Sequence, residues 1–305
     1  MPYQQVTHPS TPVLPISTLS ASKPRTTVKT SKSAVPRQAL AATETGSTSA
    51  LTRLLQILDL FTLNRTTIRV EEVVQSFDIV QSTAYRYLKE LCDAGLLVQQ
   101  GKGVYSLGRR IVELERLLQL SDPLLLAGRP VMASLQPLAQ NRAFLLCDHY
   151  KDAVLCVHKV GPEQIIHEGA PIRILRGRGT LFPLFSGAGS QVILANLSPH
   201  QIKSLYLSSA AQIAQAGLGE SWQTFRAALS EIRKQGFAQT LGKINPGMCS
   251  LAVPIVRADG KVLGSLLMLG SGSSADLKES LGMVPILQSK AAEIASAMLT
   301  MAAKA

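Results

Sequence analysis

From Ser49 onward, apolar residues return at helical intervals. Leu51, Leu55 and Leu58 stand at i, i+4 and i+7, with Leu54 and Phe61 widening the stripe, so the spacing predicts a helix of about three turns. Small polar residues just ahead of it can cap its start. Asn64 to Ile68 breaks the pattern. Val70, Val73, Val74 and Phe77 resume it, which predicts a second, short helix. Asp78, Ile79 and Val80 then leave room only for a tight turn before a third periodic stretch begins at Gln81.

On a helical wheel, Ala84, Leu88 and Leu91 of that third stretch share one side, while Ser82, Tyr85, Arg86 and Lys89 share the other. Gly95 suits the residue just past the helix end, where a left-handed backbone costs least without a Cβ. LLVQQGKGVYSLG follows, alternating about a Gly-Lys-Gly tip, and reads as a β-hairpin. Helix, helix, tight turn, helix, hairpin is the order of a winged helix-turn-helix.

The polar side of the third helix suits a major groove. Ser82 and Thr83 near its start can donate to phosphate, where the helix dipole also favours an anion. Arg86 has the forked donors that read guanine edges, and Gln81 could pair with adenine. Tyr85 offers a hydroxyl and a flat face, Lys89 a phosphate contact. Lys102, at the hairpin tip, would reach a neighbouring phosphate or the minor groove.

Beyond the hairpin, RRIVELERLLQL (Arg109 to Leu120) places Ile111, Leu114, Leu117 and Leu118 on one helical seam. Phe144 to Tyr150 and Ala153 to Lys159 read as two strands joined by a turn at Lys151-Asp152. They carry two C-x-H pairs, Cys147/His149 and Cys156/His158, which raise the question of zinc. If the hairpin closes at that turn, Cys147 faces Cys156 and His149 faces Val154. His158 then lies about 13 Å from His149 at strand rise, too far for one tetrahedral metal. No metal is expected. Cys249 could act as a nucleophile, yet the closest histidine in sequence is His200, and no catalytic residue is assigned. Gly187-Ala188-Gly189 resembles a phosphate loop, but no Gly-Lys-Ser/Thr follows it. A small-residue turn opening a helix can still bind an anion such as a carboxylate.

Composition narrows the partners. The 305 residues carry 31 Lys+Arg against 20 Asp+Glu, a formal charge of +11 that favours a polyanion. Four cysteines without a CxxC suit a reducing cytoplasm. No apolar run reaches the ~18 residues of a membrane span, so no membrane partner is expected. Residues 1–46 have no apolar signal core. They are rich in Ser, Thr and Pro, with Lys23, Arg25, Lys29, Lys32 and Arg37 against Glu44, and read as a disordered basic tail.

QSTAYRYL, the glycine-tipped wing and YSLG together resemble the IclR family of bacterial transcriptional regulators, and the likeness runs from about Ser49 to Ala303. Val80 and Gln81 stand where members usually show Pro-Lys. LFPLFSGAGSQVILA (Leu181 to Ala195), NPGMCSLAVPI (Asn245 to Ile255) and GKVLGSLLMLGS (Gly260 to Ser271) resemble the family's second domain. The resemblance implies an α+β chain: an N-terminal winged helix-turn-helix plus a GAF-like α/β effector-binding domain with a central antiparallel sheet. Its parts would be a tail over 1–48, the DNA-binding domain over 49–108, a linking and dimerising helix over 109–122, and the effector domain over 123–305.

By position, the family's effector contacts fall on Gly187, Ala188 and Gly189 at the small-residue turn and on Thr240, Cys249, Ser250, Leu267 and Leu269 on late strands. Some members place an acid at Thr240, and those binding small polar acids carry hydroxyls at Leu267 and Leu269. Losing those groups favours an effector with an apolar body, such as an aromatic acid. The expectation is therefore a homodimeric or tetrameric regulator with double-stranded operator DNA and a small organic acid as partners, and no cofactor. Two rivals are an architectural DNA-binding protein without effector and an enzyme fused to a DNA-binding domain.

Overall fold

The computed structural model describes residues 49–243 and 246–303, so the basic N-terminal stretch lies outside the described residues. Helix α1 (Ala50–Gln56) starts on Ser49, whose side chain accepts the Thr52 N–H at 3.1 Å. It tightens into a 3-10 turn over Ile57–Leu60 instead of running on for three α-helical turns. The buried side matches the predicted stripe only in part. Ile57, Leu60 and Phe61 enter the core with Leu54 and Leu58 against it, while Leu51 and Leu55 stay exposed. The tightened turn rotates the seam, because 3-10 geometry advances each residue further round the axis than an α-helix does.

The stretch read as a mere break contains a strand, β1 (Thr67–Arg69). Only Ile68 of it is buried, too short a signal to show periodicity. Helices α2 (Val70–Phe77) and α3 (Gln81–Asp93) follow, separated by Asp78 in the left-handed region at φ 47°. Gly95, at φ 72°, ends the α3 turn as its position implies. Strands β2 (Leu97–Gly101) and β3 (Val104–Leu107) form the wing, and β1 adds to it in the order β1-β3-β2. The Gly103 carbonyl accepts the Val70 N–H at 3.0 Å, tying the wing tip to the start of α2.

Helix α4 (Arg110–Ser121) buries none of its side chains, so its apolar seam does not pack inside the chain as a core helix would. Helix α5 (Pro123–Ser134), capped by Asp122, then leads into the second domain. Strands β4 (Ala143–Tyr150) and β5 (Ala153–Val160) form the predicted hairpin, with Cys147 opposite Cys156 and His149 opposite Val154. A bulge beside Cys147 shifts the register so that His158 pairs with Leu146. Among the described residues, no group of three or more His, Cys, Asp or Glu is placed to hold a metal.

A small hairpin, β6 (Gln164–His167) with β7 (Ala170–Arg173), precedes β8 (Leu181–Pro183). Helices α6 (Ala188–Ala195), α7 (Pro199–Gln215) and α8 (Trp222–Gln235) follow. Strands β9 (Ala238–Leu241), β10 (Met248–Val256) and β11 (Val262–Ser271) then complete an antiparallel six-stranded sheet in the order β8-β5-β4-β11-β10-β9. Helices α9 (Ser274–Leu281) and α10 (Val284–Ala302) end the described chain.

Strand alternation divides the core in two. Ala143, Leu145, Cys147, Ala252, Leu267 and Leu269 face the side covered by α6 and α8. Phe144, Leu146, Leu251, Val253, Leu266 and Met268 face α5 and α10. Both faces are apolar, so β4, β10 and β11 read as unbroken hydrophobic runs. The register decides which residues of each run face the cavity described next.

Candidate nucleic-acid interface and ligand cavity

Helix α3 anchors its inner side through Ala84, Tyr87, Leu88 and Leu91. Gln81, Ser82, Tyr85, Arg86 and Lys89 are exposed on the outside and Thr83 is half-buried. No side chain caps the helix start, so its first backbone N–H groups remain available to an outside acceptor. The Arg86 guanidinium lies 5.6 Å from the centre of the Tyr87 ring, which steadies it without neutralising it. Lys89 stands 3.8 Å from Asp93 one turn on, an exposed pair of little strength. Tyr85 leans toward the wing: a Cβ on Gly103 would come within 4.0 Å of its hydroxyl. Lys102 is exposed at the wing tip. Six of these seven residues therefore share one helix, and the seventh extends the surface along the wing.

In the second domain, β8 delivers the chain to Gly187, which caps α6 with φ 90° and ψ 149°. That backbone is strained for any residue with a Cβ, which is why the turn needs glycine. The α6 start faces β11 closely, since a Cβ on Gly189 would lie 3.4 Å from Ser265 Oγ and 3.5 Å from Leu267 Cδ2. Ser265 is buried and its hydroxyl has no ordinary hydrogen-bond partner.

Between α6 and the sheet lies a cavity of about 500 Å³, its open mouth included. Gly187, Ala188, Gly189, Thr240, Cys249, Ser250, Leu267 and Leu269 all line it. Sheet pairing assembles the wall: Ser250 lies opposite both Thr240 on β9 and Leu269 on β11. The Thr240 and Ser250 hydroxyls meet at 2.6 Å. Burial pushes the Cys249 thiol up, which keeps it protonated and unlike an activated nucleophile. Cys147 also lines the cavity, and the Cys156 thiol beside it together with burial holds its own thiol well above the ordinary range.

Residues 50–101 match the family model of the IclR helix-turn-helix domain. Residues 128–296 match that of the bacterial transcriptional regulator IclR C-terminal domain. The chain belongs to the IclR family. It is a transcriptional regulator of the IclR type, with a DNA-binding domain followed by an effector-binding domain. The probable HTH-type transcriptional regulator ArcR of Halobacterium salinarum is 25% identical over 227 residues, which covers 74% of this chain and 85% of ArcR. The HTH-type transcriptional regulator KdgR of Escherichia coli is 25% identical over 201 residues, 65% of this chain and 73% of KdgR. Among solved structures, an IclR homolog from Microbacterium hydrocarbonoxydans complexed with 4-hydroxybenzoate aligns with a TM-score of 0.64 at 21% identity, covering 83% of this chain and all of its own. A putative IclR regulator from Silicibacter sp. TM1040 aligns at 0.65 and 20% identity over 82% of this chain and 96% of its own. Those two likenesses speak for the fold.

The IclR cavity is also lined by residues that sequence reasoning missed: the apolar Val154 and Phe182 and the basic Arg176 and Lys243. The signal for Arg176 was the run RILRGRG, Arg173 to Gly179, whose arginines look alike in sequence. Their fates differ. Arg173 is exposed, Arg176 is only 7% exposed, and Arg178 leaves the domain surface for Glu115 on α4. Arg178 grips both Glu115 oxygens and also donates to the Val157 carbonyl. That pairing holds the Glu115 carboxyl below its ordinary value. Gln119 donates to Glu115 at 3.1 Å and accepts from Arg129 at 3.1 Å, so the clasp joins α4, α5 and the turn after β7. No described helix is long and apolar enough to cross a membrane.

Proposed function

We propose that this IclR-family chain is a cytoplasmic, homo-oligomeric regulator of catabolic genes whose operator binding responds to an organic acid with an aromatic body. The observation that carries this reading is the cavity itself. Eight positions drawn from a helix start and three strands converge on it, with Leu267 and Leu269 where an apolar ring needs a surface. That an IclR homolog from Microbacterium hydrocarbonoxydans forms a complex with 4-hydroxybenzoate supports an aromatic acid as the effector class.

In this reading Gln81, Ser82, Thr83, Tyr85, Arg86, Lys89 and Lys102 contact DNA, with Arg86 reading base edges and the others positioning the helix. Residues 49–108 act as the DNA-binding domain, 109–122 as the link, and 123–305 as the effector domain. The exposed seam of α4, with Leu117 at 55% and Leu118 at 54%, supports pairing with a second copy. The basic stretch over 1–48 adds sequence-independent affinity for phosphate.

Operator footprinting with and without 4-hydroxybenzoate and related acids tests the reading. Protection that shifts or vanishes on adding an acid is the expected result. Unchanged protection together with no ligand-induced thermal shift would favour an architectural protein without effector. Chemical turnover of the added acid would favour an enzyme fused to a DNA-binding domain.

A further inference from the structure

We propose that Arg176 is the counter-charge for the effector's acid group, so that the cavity selects carboxylates over neutral molecules of the same shape. This rests on the cavity being the effector site. It adds a specificity-determining residue that lies outside the glycine turn and the late strands.

Three observations carry it. First, a guanidinium is built into the cavity wall: Arg176 is 93% buried by its 7% exposure and lines the cavity beside Phe182. Its Cζ lies 4.8 Å from the centre of the Phe182 ring, and Nη1 donates to the Leu181 carbonyl at 3.4 Å. These contacts hold the guanidinium against the cavity wall, where its charge can act on a carboxylate. Second, the turn that carries it is pinned. Gly177 N–H donates to Thr180 Oγ1 at 3.2 Å, Gly179 N–H to the Cys156 carbonyl at 2.9 Å, and Cys156 N–H to the Thr180 carbonyl at 2.9 Å. Third, the charges of the lining have one sign. Arg176 and the exposed Lys243 line the cavity, and no aspartate or glutamate is among the described lining residues.

The α6 start adds a positive partial charge from its open N–H groups, close to Gly187. Arg176 and this helix end therefore act on the same occupant. Of the cations, Arg176 acts more strongly, because it works away from solvent whereas exposed Lys243 is screened. A neutral ring acid derivative would meet the same Phe182, Val154, Leu267 and Leu269 surface but would carry no charge for Arg176 and the α6 start to attract. Burial lowers the basicity of Arg176, yet a guanidinium stays charged across the physiological range.

The test is calorimetric binding of a matched panel, each carboxylate with its primary amide, from acetate to 4-hydroxybenzoate. Wild type, Arg176→Gln, Arg176→Lys and Leu267→Ser are compared, with melting followed in parallel. Wild type should prefer acids to amides by about tenfold or more, the scale of a charge-assisted pair. Arg176→Gln should reduce that margin to about twofold while leaving amide affinity unchanged, and Arg176→Lys should fall between. Leu267→Ser should weaken ring-bearing acids and amides alike and keep the margin.

An unchanged margin in Arg176→Gln would overturn the role of Arg176 and leave the acid reading standing. Equal losses for acid and amide, with a lowered melting point, would show a structural arginine and also overturn it. If no carboxylate binds wild type, the acid reading falls and the role of Arg176 falls with it. Should Arg176→Gln not fold, the margin in Arg176→Lys decides: a fall supports the assignment and an unchanged margin overturns it.

Discussion

The outer face of α3 and the cavity under α6 are built in opposite ways. Gln81 to Lys89 all lie within one helix, whose inner residues anchor it and whose outer residues need no further support. The cavity draws on positions from Cys147 to Leu269, and only strand pairing brings Thr240, Ser250 and Leu269 side by side. A helix face is a local code, since a period of 3.6 fixes which residues point outward. A cavity wall is a long-range code. Slipping one strand by a single residue would turn its lining to the other side of the sheet. The outer side chains of the helix carry little of the packing, whereas Leu267 and Leu269 belong to the core and to the cavity lining at once.

The largest expected effect sharpens the comparison at the helix between the two regions. Replacing Leu117 and Leu118 together by Glu puts charge on the exposed seam of α4. Light scattering should show a smaller assembly, and operator affinity should fall by about a hundredfold, because a two-fold site loses one set of contacts. An unchanged mass would mean that α4 is not the contact between copies.

Next comes the helix face. Arg86→Ala should cost about 1–3 kcal/mol on the operator and much less on random DNA, measured by competition at fixed salt. Equal losses on both would make Arg86 a phosphate contact. Melting should not move, since Arg86 is exposed.

At the cavity the two outcomes are coupled. Leu267→Ser should weaken a ring-bearing acid by about 1–3 kcal/mol, read by calorimetry. The leucine is also part of the core cluster on that face, so some loss of stability is expected too. A large fall in melting point with unchanged affinity would make Leu267 core and not pocket.

The clasp between Arg178 and Glu115 gives a subtler test. Arg178→Ala should leave effector affinity within about twofold but reduce the effector's influence on DNA binding, by about 0.5–2 kcal/mol of coupling. Retained coupling would show that the signal takes another route.

The last effect, confined to stability, concerns Asp148, on β4. Burial is the main cause that pushes its carboxyl up, to about 6, against some lowering by the His149 N–H that donates to it at 2.7 Å. A raised folded value means that the folded chain holds the proton more tightly. The stabilising contribution is thus complete below about pH 4 and is lost as pH rises through 6. Asp148→Asn should therefore stabilise the protein by about 1–2 kcal/mol at pH 7.5, after discounting for partial exposure. The gain should disappear near pH 4. A gain of equal size at both values would point to packing instead of charge.

The sequence by itself determined the winged helix-turn-helix, because α2 and α3 announce their own buried sides and Gly95 and the Gly-Lys-Gly tip mark its ends. It also determined the hairpin register of Cys147 with Cys156, since a two-residue turn leaves little freedom. Even there it missed β1, where a lone buried Ile68 carries no period, and mistook Leu51 and Leu55 for inner positions. For the second domain, the cavity positions were legible through the family resemblance and not through periodicity. Strands β10 and β11 are apolar on both faces, and an unbroken run does not say which residues look toward α6. The inward turn of Arg176, among arginines that look alike along the chain, was decided only by the tertiary structure. A buried charge is set by what surrounds it, here Phe182, the Leu181 carbonyl and the pinned turn after β7, and those neighbours are brought together by the sheet.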